Sequence, residues 1–167
     1  LRAEPKTTER DRFVEYTKSW LRPAELEPAT DFRVWASDDD QPESSIPAQV
    51  AHKVLSERWP ELARSYHRRL LSAYFTENRN IADAEVLLDL AAGGGADRTA
   101  FAERAAERTP EMTQMVIAEH NAAIEIGVTA VPTVVFDGVF PVAGAQPVET
   151  YERLVDAILA NRSDTES

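Results

Sequence analysis

The chain has 167 residues, of which 43% are hydrophobic and 28% are charged, a composition typical of globular rather than disordered proteins. Its net charge of −11 repels phosphate backbones and argues against a nucleic-acid partner. The sequence contains no cysteine, which excludes disulfides, thiolate metal ligands and a cysteine nucleophile within these residues. No apolar run approaches the length of a membrane span, so a membrane protein is not expected.

The first helix is expected to begin near Thr8, to carry Phe13, Tyr16, Trp20 and Leu21 on one face, and to end before Pro23. Residues 23–47, rich in Pro, Asp and Ser, are interpreted as an irregular connection that aromatic side chains anchor to a core. The acidic triplet in this connection, Asp38 to Asp40, is interpreted as a solvated turn because no further metal ligands follow at a suitable spacing.

Apolar periodicity and capping residues predict a series of helices in the middle of the chain. The first two are expected from Pro47 to Trp59 and from Pro60 to about Glu77. The third is capped by Asp83 and ended by Gly93 to Gly95, and the fourth is capped by Asp97 and ends near Glu107. The fifth is opened by Thr109, Pro110 and Glu111 and ends near Ile126. The glycine triplet is interpreted as a helix end, because no strand precedes it and no Lys-Ser/Thr pair follows it.

A different pattern follows the helices. A short apolar strand from Thr133 to Phe136, an Asp137-Gly138 turn and a return strand from Val139 to Val142 predict a β-hairpin. A last helix is expected to open at Gln146 and to turn the side chains of Val148, Tyr151, Leu154, Val155 and Ile158 inward. Both strands are apolar at nearly every position, which is typical of strands buried on both faces. A two-stranded hairpin is marginally stable alone, so it needs neighbouring strands, which the chain does not obviously supply.

The proline at the start of this hairpin, Pro132, cannot donate a hydrogen bond to a sheet ladder. It can simply open the strand, or it can form a special turn with a cis peptide bond. The three histidines, His52, His67 and His120, are widely spaced, so solvated or capping roles are favoured over a metal site or a catalytic triad.

The order of these elements resembles the C-terminal half of the thioredoxin fold. More narrowly, it resembles the DsbA family of disulfide oxidoreductases in its cytoplasmic FrnE-like branch, whose relatives include 2-hydroxychromene-2-carboxylate isomerase. The stretches that carry the resemblance are Gly127 to Phe136, Val142 to Pro147, Ala73 to Asp83, and Pro42 to Ala48.

The resemblance implies an α/β fold that is mostly helical by content: a thioredoxin-like C-terminal half, consisting of a β-hairpin and a helix, with a large inserted helical domain. Residues 8–126 would form the insertion and the long helix that leads back, residues 127–162 the hairpin and terminal helix, and residues 163–167 a frayed tail. Residues 1–7 would be the end of a βαβ unit that carries Cys-x-x-Cys in the family and that this sequence lacks.

The function implied is thiol–disulfide exchange on a protein or peptide substrate in the cytoplasm, by a chain that is inert alone because it has no catalytic residue. The loop of Ala130, Val131, Pro132 and Thr133 would bind substrate, and no cofactor or metal is implied. Two alternatives remain. One is a redox-inactive module that binds peptides or a partner chain and could form a homodimer; the other is a glutathione-dependent isomerase.

Overall fold

The structure, a computed structural model, describes residues 10–26 and 29–165. The elements in chain order are α1 (Arg10–Thr17), a 3₁₀ turn (Lys18–Trp20), α2 (Leu21–Leu26), α3 (Ile46–Arg58), a second 3₁₀ turn (Pro60–Leu62), α4 (Ala63–Phe75), α5 (Ala84–Gly93), α6 (Arg98–Glu125), β1 (Thr133–Phe136), β2 (Phe140–Ala143) and α7 (Val148–Thr165). The chain divides into two compact units, residues 1–117 and 118–167, and the division falls within α6. The interpretation of residues 1–7 and the start of the first helix near Thr8 lie outside the described residues.

The main core of the first unit is formed by apolar side chains of α3, α4, α5 and α6. Its most deeply buried members include Leu55, Tyr66, Leu90 and Phe101, each no more than 1% exposed. Burying one large apolar side chain contributes about 1.5–3 kcal/mol. The Tyr66 hydroxyl donates to the carbonyl of Leu87 at 3.2 Å, so its polar end has a partner, and burial raises the pKa of this tyrosine.

A second cluster in the same unit is aromatic, and it anchors the irregular connection as predicted. Trp35 is 2% exposed, and its ring lies 5.3 Å from that of Phe13 and 5.9 Å from that of Tyr74. The backbone of the connection is held as well, because the Trp35 amide donates to Thr17 Oγ1 at 3.0 Å. Burial, with a smaller contribution from Tyr16, raises the pKa of Tyr74 to about 12.

The helix predicted to stop before Pro23 does not stop there, because α2 runs from Leu21 to Leu26. Pro23 is the third residue of α2. The first four amides of a helix have no partner inside it, so a proline at this position removes no hydrogen bond. The predicted helix end was therefore wrong, because a proline in the first turn of a helix does not interrupt it. Of the four residues expected on one face, Phe13 and Trp20 are buried, whereas Tyr16 and Leu21 are 61% and 42% exposed.

The break predicted at Pro110 is also wrong, because α6 continues through this residue from Arg98 to Glu125. A proline inside a helix costs about 3 kcal/mol or more. Met112 and Val116, which follow the proline, are 4% and 1% exposed and join the main core. The Arg108 guanidinium adds an ion pair to Glu57 of α3 at 2.8 Å. The stabilisation from these tertiary contacts outweighs the free-energy cost of the proline within the helix.

Other predictions in this unit that rest on neighbouring residues are confirmed. Asp83 caps α5, because its Oδ1 accepts hydrogen bonds from the amides of Glu85 at 2.7 Å and Val86 at 3.2 Å. The helix ends at Gly93, as the glycine triplet predicted. The Asp38 to Asp40 triplet is exposed, in agreement with a solvated turn.

The second unit holds the hairpin and α7. Strands β1 and β2 are antiparallel, with Thr133 opposite Ala143 and Phe136 opposite Phe140. The return strand begins one residue later than predicted, because Val139 belongs to the turn and its amide donates to the Phe136 carbonyl at 3.1 Å. Among the described residues the sheet has these two strands alone, and Phe140 is 56% exposed.

Helix α7 differs from its prediction in two respects. It continues through Thr165, past the residue where a frayed tail was expected to begin. Val148 and Val155, expected to point inward, are 66% and 40% exposed, whereas Tyr151, Leu154 and Ile158 are half-buried. The hairpin and α7 therefore leave apolar side chains open to solvent within this unit.

Candidate functional site

The segment from Gly127 to Thr133 connects the end of α6 to the first strand. Gly127 has φ +88°, and its amide donates to the Ile124 carbonyl at 2.9 Å. The next amide, that of Val128, donates to the Ala123 carbonyl at 3.0 Å. This is the Schellman pattern that ends a helix, and the left-handed conformation at its centre favours glycine. The chain thus leaves α6 in a defined direction.

The predicted substrate-binding residues, Ala130 to Thr133, form one continuous loop at the start of β1, and the peptide bond between Val131 and Pro132 is cis. Two hydrogen bonds flank this bond. Thr133 Oγ1 donates to the Ala130 carbonyl at 2.5 Å, and the Gly144 amide donates to the Pro132 carbonyl at 2.7 Å. The loop is therefore tied both to itself and to the residue that follows β2.

Val131, at the centre of the loop, is 89% exposed. Within the described part of the chain, no hydrogen bond is made by its backbone amide or carbonyl. An exposed main-chain donor and acceptor on a fixed loop can pair with the backbone of another extended chain. The loop offers no acid, base or nucleophile, apart from the Thr133 hydroxyl that already donates to Ala130.

The turn after β2 is held by Tyr151, whose role the sequence did not reveal beyond an inward position on α7. Its hydroxyl donates to the Gly144 carbonyl at 3.3 Å and accepts from the Gln146 amide at 3.2 Å. Its ring lies 5.9 Å from that of Phe136 on β1. Since the Gly144 amide bonds Pro132, Tyr151 supports the candidate loop through this turn. A lone tyrosine in a helix carries no sequence signal for such a role.

Two of the three histidines lie close together within the first unit. His52 and His67 lie on α3 and α4 with ring centroids 5.4 Å apart, and His52 Nε2 is 3.3 Å from the Ala63 carbonyl. Burial lowers the pKa of His52 despite this contact with Ala63. In the residues that the structure describes, no three His, Asp or Glu side chains cluster in a way suited to holding a metal ion.

No helix among the described residues combines the length and the apolar character needed to cross a bilayer.

Comparison with known proteins identifies both the fold and the family. The profile of the DSBA-like thioredoxin domain matches residues 29–156. An uncharacterized protein of Bacillus subtilis strain 168, YwbO, is 34% identical over 91 residues, which cover 54% of this chain and 44% of that protein. The chain thus spans less than half the length of this relative.

A solved structure from Nitrosomonas europaea, a candidate protein disulfide isomerase, superposes with a TM-score of 0.73. The match covers 94% of this chain and 79% of the other, at 16% sequence identity. At this identity the likeness shows a shared fold, thioredoxin-like and mostly helical. The profile match, which extends over more than half of the chain, shows that the chain belongs to the DSBA-like thioredoxin domain family.

Proposed function

We propose that this chain is the peptide-binding part of a thiol–disulfide oxidoreductase, in which the loop of Ala130 to Thr133 holds an extended segment of the substrate. Membership of the DSBA-like family supports the reaction type. The observation that carries the proposal is the state of Val131, which is 89% exposed and whose backbone amide and carbonyl make no hydrogen bond in the described segments.

The neighbouring hydrogen bonds make this loop suitable for binding. The bonds from Thr133 to Ala130 and from Gly144 to Pro132 fix the chain on either side of Val131. A loop that is fixed before it binds loses less conformational entropy when the substrate pairs with it. Short backbone pairing gives affinity with little dependence on the substrate's side chains, which suits an enzyme that acts on many proteins.

The exchange itself needs sulfur from outside these 167 residues, because the sequence has no cysteine. In thiol–disulfide exchange a thiolate attacks one sulfur of a disulfide, a mixed disulfide forms, and the second sulfur leaves as a thiolate. The part assigned to this chain is to hold the substrate backbone, and the thiolate would come from another polypeptide segment. The chain alone should therefore bind peptides without reducing or forming disulfides.

The test is a titration of the ¹⁵N-labelled chain with an extended peptide whose single cysteine is S-methylated, so that no exchange occurs. The expected result is a saturable shift of the Val131 amide and of its neighbours in the loop. In parallel, the chain alone should show no insulin-reducing activity. Saturable binding that leaves the loop signals unmoved would contradict the assignment of the loop.

A matched pair of variants sharpens this test. Thr133→Val removes the hydroxyl that donates to the Ala130 carbonyl but keeps the side-chain shape. We expect it to weaken peptide binding severalfold, since a loosened loop costs more to order. Thr129→Val makes the same chemical change at an exposed residue of the same connection and should leave the affinity unchanged.

A redox-inactive binding module is the second candidate, and the absence of cysteine favours it. It would bind the same peptide through the same loop. The two candidates differ when a separate thioredoxin-fold fragment of this family bearing Cys-x-x-Cys is added. With dithiothreitol as the reductant, faster insulin reduction in the mixture than with the fragment alone supports the oxidoreductase, whereas unchanged reduction together with intact peptide binding supports the module.

A further inference from the structure

The first unit contains a groove that is lined mostly by apolar side chains. Its walls come from three helices: α3 supplies Val50 and Ala51, α5 supplies Leu87, and α6 supplies Phe101, Ala105 and Ala106. The groove has a volume of about 380 Å³, within the range of roughly 300–1,000 Å³ that is typical of small-ligand sites. We call it the apolar groove.

The lining of the apolar groove offers almost no hydrogen bonds. Its polar side chains among the described residues are Thr109 and Thr113. Both hydroxyls donate back to their own helix, to the carbonyls of Ala105 at 2.6 Å and Thr109 at 2.7 Å. An extended peptide backbone in this groove would leave its amides and carbonyls unpaired at a cost. A hydrocarbon body meets no such cost.

An acidic concavity adjoins the apolar groove. This second concavity shares the lining residues Pro47 and Ala82 with the apolar groove, and three carboxylates line it: Asp40, Glu43 and Asp83. None of the described residues that line this second concavity is basic. We call these three carboxylates the acidic rim. Hydrocarbon surface and negative charge are thus continuous across Pro47 and Ala82.

From this juxtaposition we infer a binding site for an amphiphilic cation, a small molecule with a hydrocarbon body and a terminal ammonium or guanidinium group. The body occupies the apolar groove and the cation lies at the acidic rim. Asp83 contributes charge through a carboxylate that also caps α5, so Asp40 and Glu43 are the rim residues that can be changed without removing a helix cap.

The experiment uses n-decylammonium, n-decanol and n-decanoate below their aggregation concentrations, titrated into the chain with ¹³C-labelled alanine, threonine, valine and leucine methyl groups. The expected result is saturable binding with shifts at Ala105, Ala106 and Thr113, tightest for the ammonium and weakest for the carboxylate. Shifts confined to the exposed hairpin methyls, such as Val134, would overturn the site.

The groove is tested by a pair of substitutions on α6. Ala106 and Ala100 are both exposed, and Ala106 lines the groove whereas Ala100 does not. Ala106→Trp should fill the groove and abolish binding of n-decylammonium, while Ala100→Trp should leave it unchanged. Equal loss in both variants, or none in either, contradicts the assignment.

The charge is tested by two double variants that change net charge equally. Asp40→Asn with Glu43→Gln removes rim carboxylates and should weaken n-decylammonium binding about tenfold while n-decanol binding stays the same. Glu61→Gln with Glu103→Gln removes exposed carboxylates that line neither concavity and should have little effect. A similar loss in both double variants would show a general effect of the acidic surface and overturn the role of the rim.

Discussion

The hydroxyl of Tyr151 joins helix α7 to the turn that supports the candidate loop, because it donates to the Gly144 carbonyl at 3.3 Å and accepts from the Gln146 amide at 3.2 Å. The Gly144 amide in turn donates to the Pro132 carbonyl at 2.7 Å. A residue of the last helix is therefore linked to the loop through one glycine.

Tyr151→Phe should loosen this turn and leave the ring contact with Phe136 in place. A hydrogen bond of this kind contributes about 1 kcal/mol, so the Gln146 amide should exchange with solvent about fivefold faster. Hydrogen-exchange NMR of the Gln146 and Gly144 amides measures the effect. The same substitution at Tyr16, which is 61% exposed, serves as the control and should leave both amides unchanged.

Pro110→Ala should stabilise the protein. Alanine restores an amide that can donate to the Ala106 carbonyl and removes the ring clash, so the free energy of unfolding should rise by about 1–3 kcal/mol. Urea denaturation measures it. Pro60→Ala is the matched control, because Pro60 opens a 3₁₀ turn where its missing amide needs no partner. Equal effects of the two substitutions would indicate that α6 is interrupted at Pro110.

Thr17→Val should destabilise the aromatic cluster. The Thr17 side chain is fully buried, accepts from the Trp35 amide at 3.0 Å and donates to the Val14 carbonyl at 2.7 Å. Valine leaves the buried Trp35 amide unpaired, at a cost of about 1–3 kcal/mol. Urea denaturation followed by tryptophan fluorescence gives the loss. Thr17→Ser keeps the hydroxyl and should lose less; an equal loss would assign the effect to the methyl group.

His52 should make stability depend on pH in the acidic range. The pKa of His52 in the folded chain is lowered from the ordinary value of 6.5, and burial is the largest cause of this shift. The unfolded chain then binds a proton more readily, so stability falls as pH drops through 6.5 and towards the lower, folded pKa. His52→Gln should flatten this part of the profile relative to the unsubstituted chain, as measured by thermal unfolding from pH 7 to 5. An unchanged profile in His52→Gln would contradict the prediction.

The parts of the fold that the sequence predicted depend on neighbouring residues. The cap at Asp83 involves the amides of Glu85 and Val86, and the helix end at Gly93 needs the glycines beside it. Each prediction depends on residues within a few positions of one another, and the structure confirms both.

The parts that could not be predicted depend on residues far apart in the chain. The continuity of α6 through Pro110 involves the pairing of Arg108 with Glu57, which lies 51 positions earlier. The apolar groove similarly needs Val50, Leu87 and Phe101 to converge from three helices. The resemblance to a family indicated the residues of the candidate loop, whereas the exposure of Val131 is a property of the folded chain that no sequence pattern indicates.

The course of α6 across the division between the two compact units has a practical consequence for anyone who wishes to divide the protein. The division follows Ile117, where the chain is in mid-helix, and not Gly127, where the helix has ended. A synthetic fragment meant to reproduce the hairpin unit must therefore carry residues 118–125 and begin with a new helix start. In the intact protein the helix is capped at its first turn, before Arg98, which the fragment lacks. An added serine or aspartate ahead of Ala118 would supply a new N-cap.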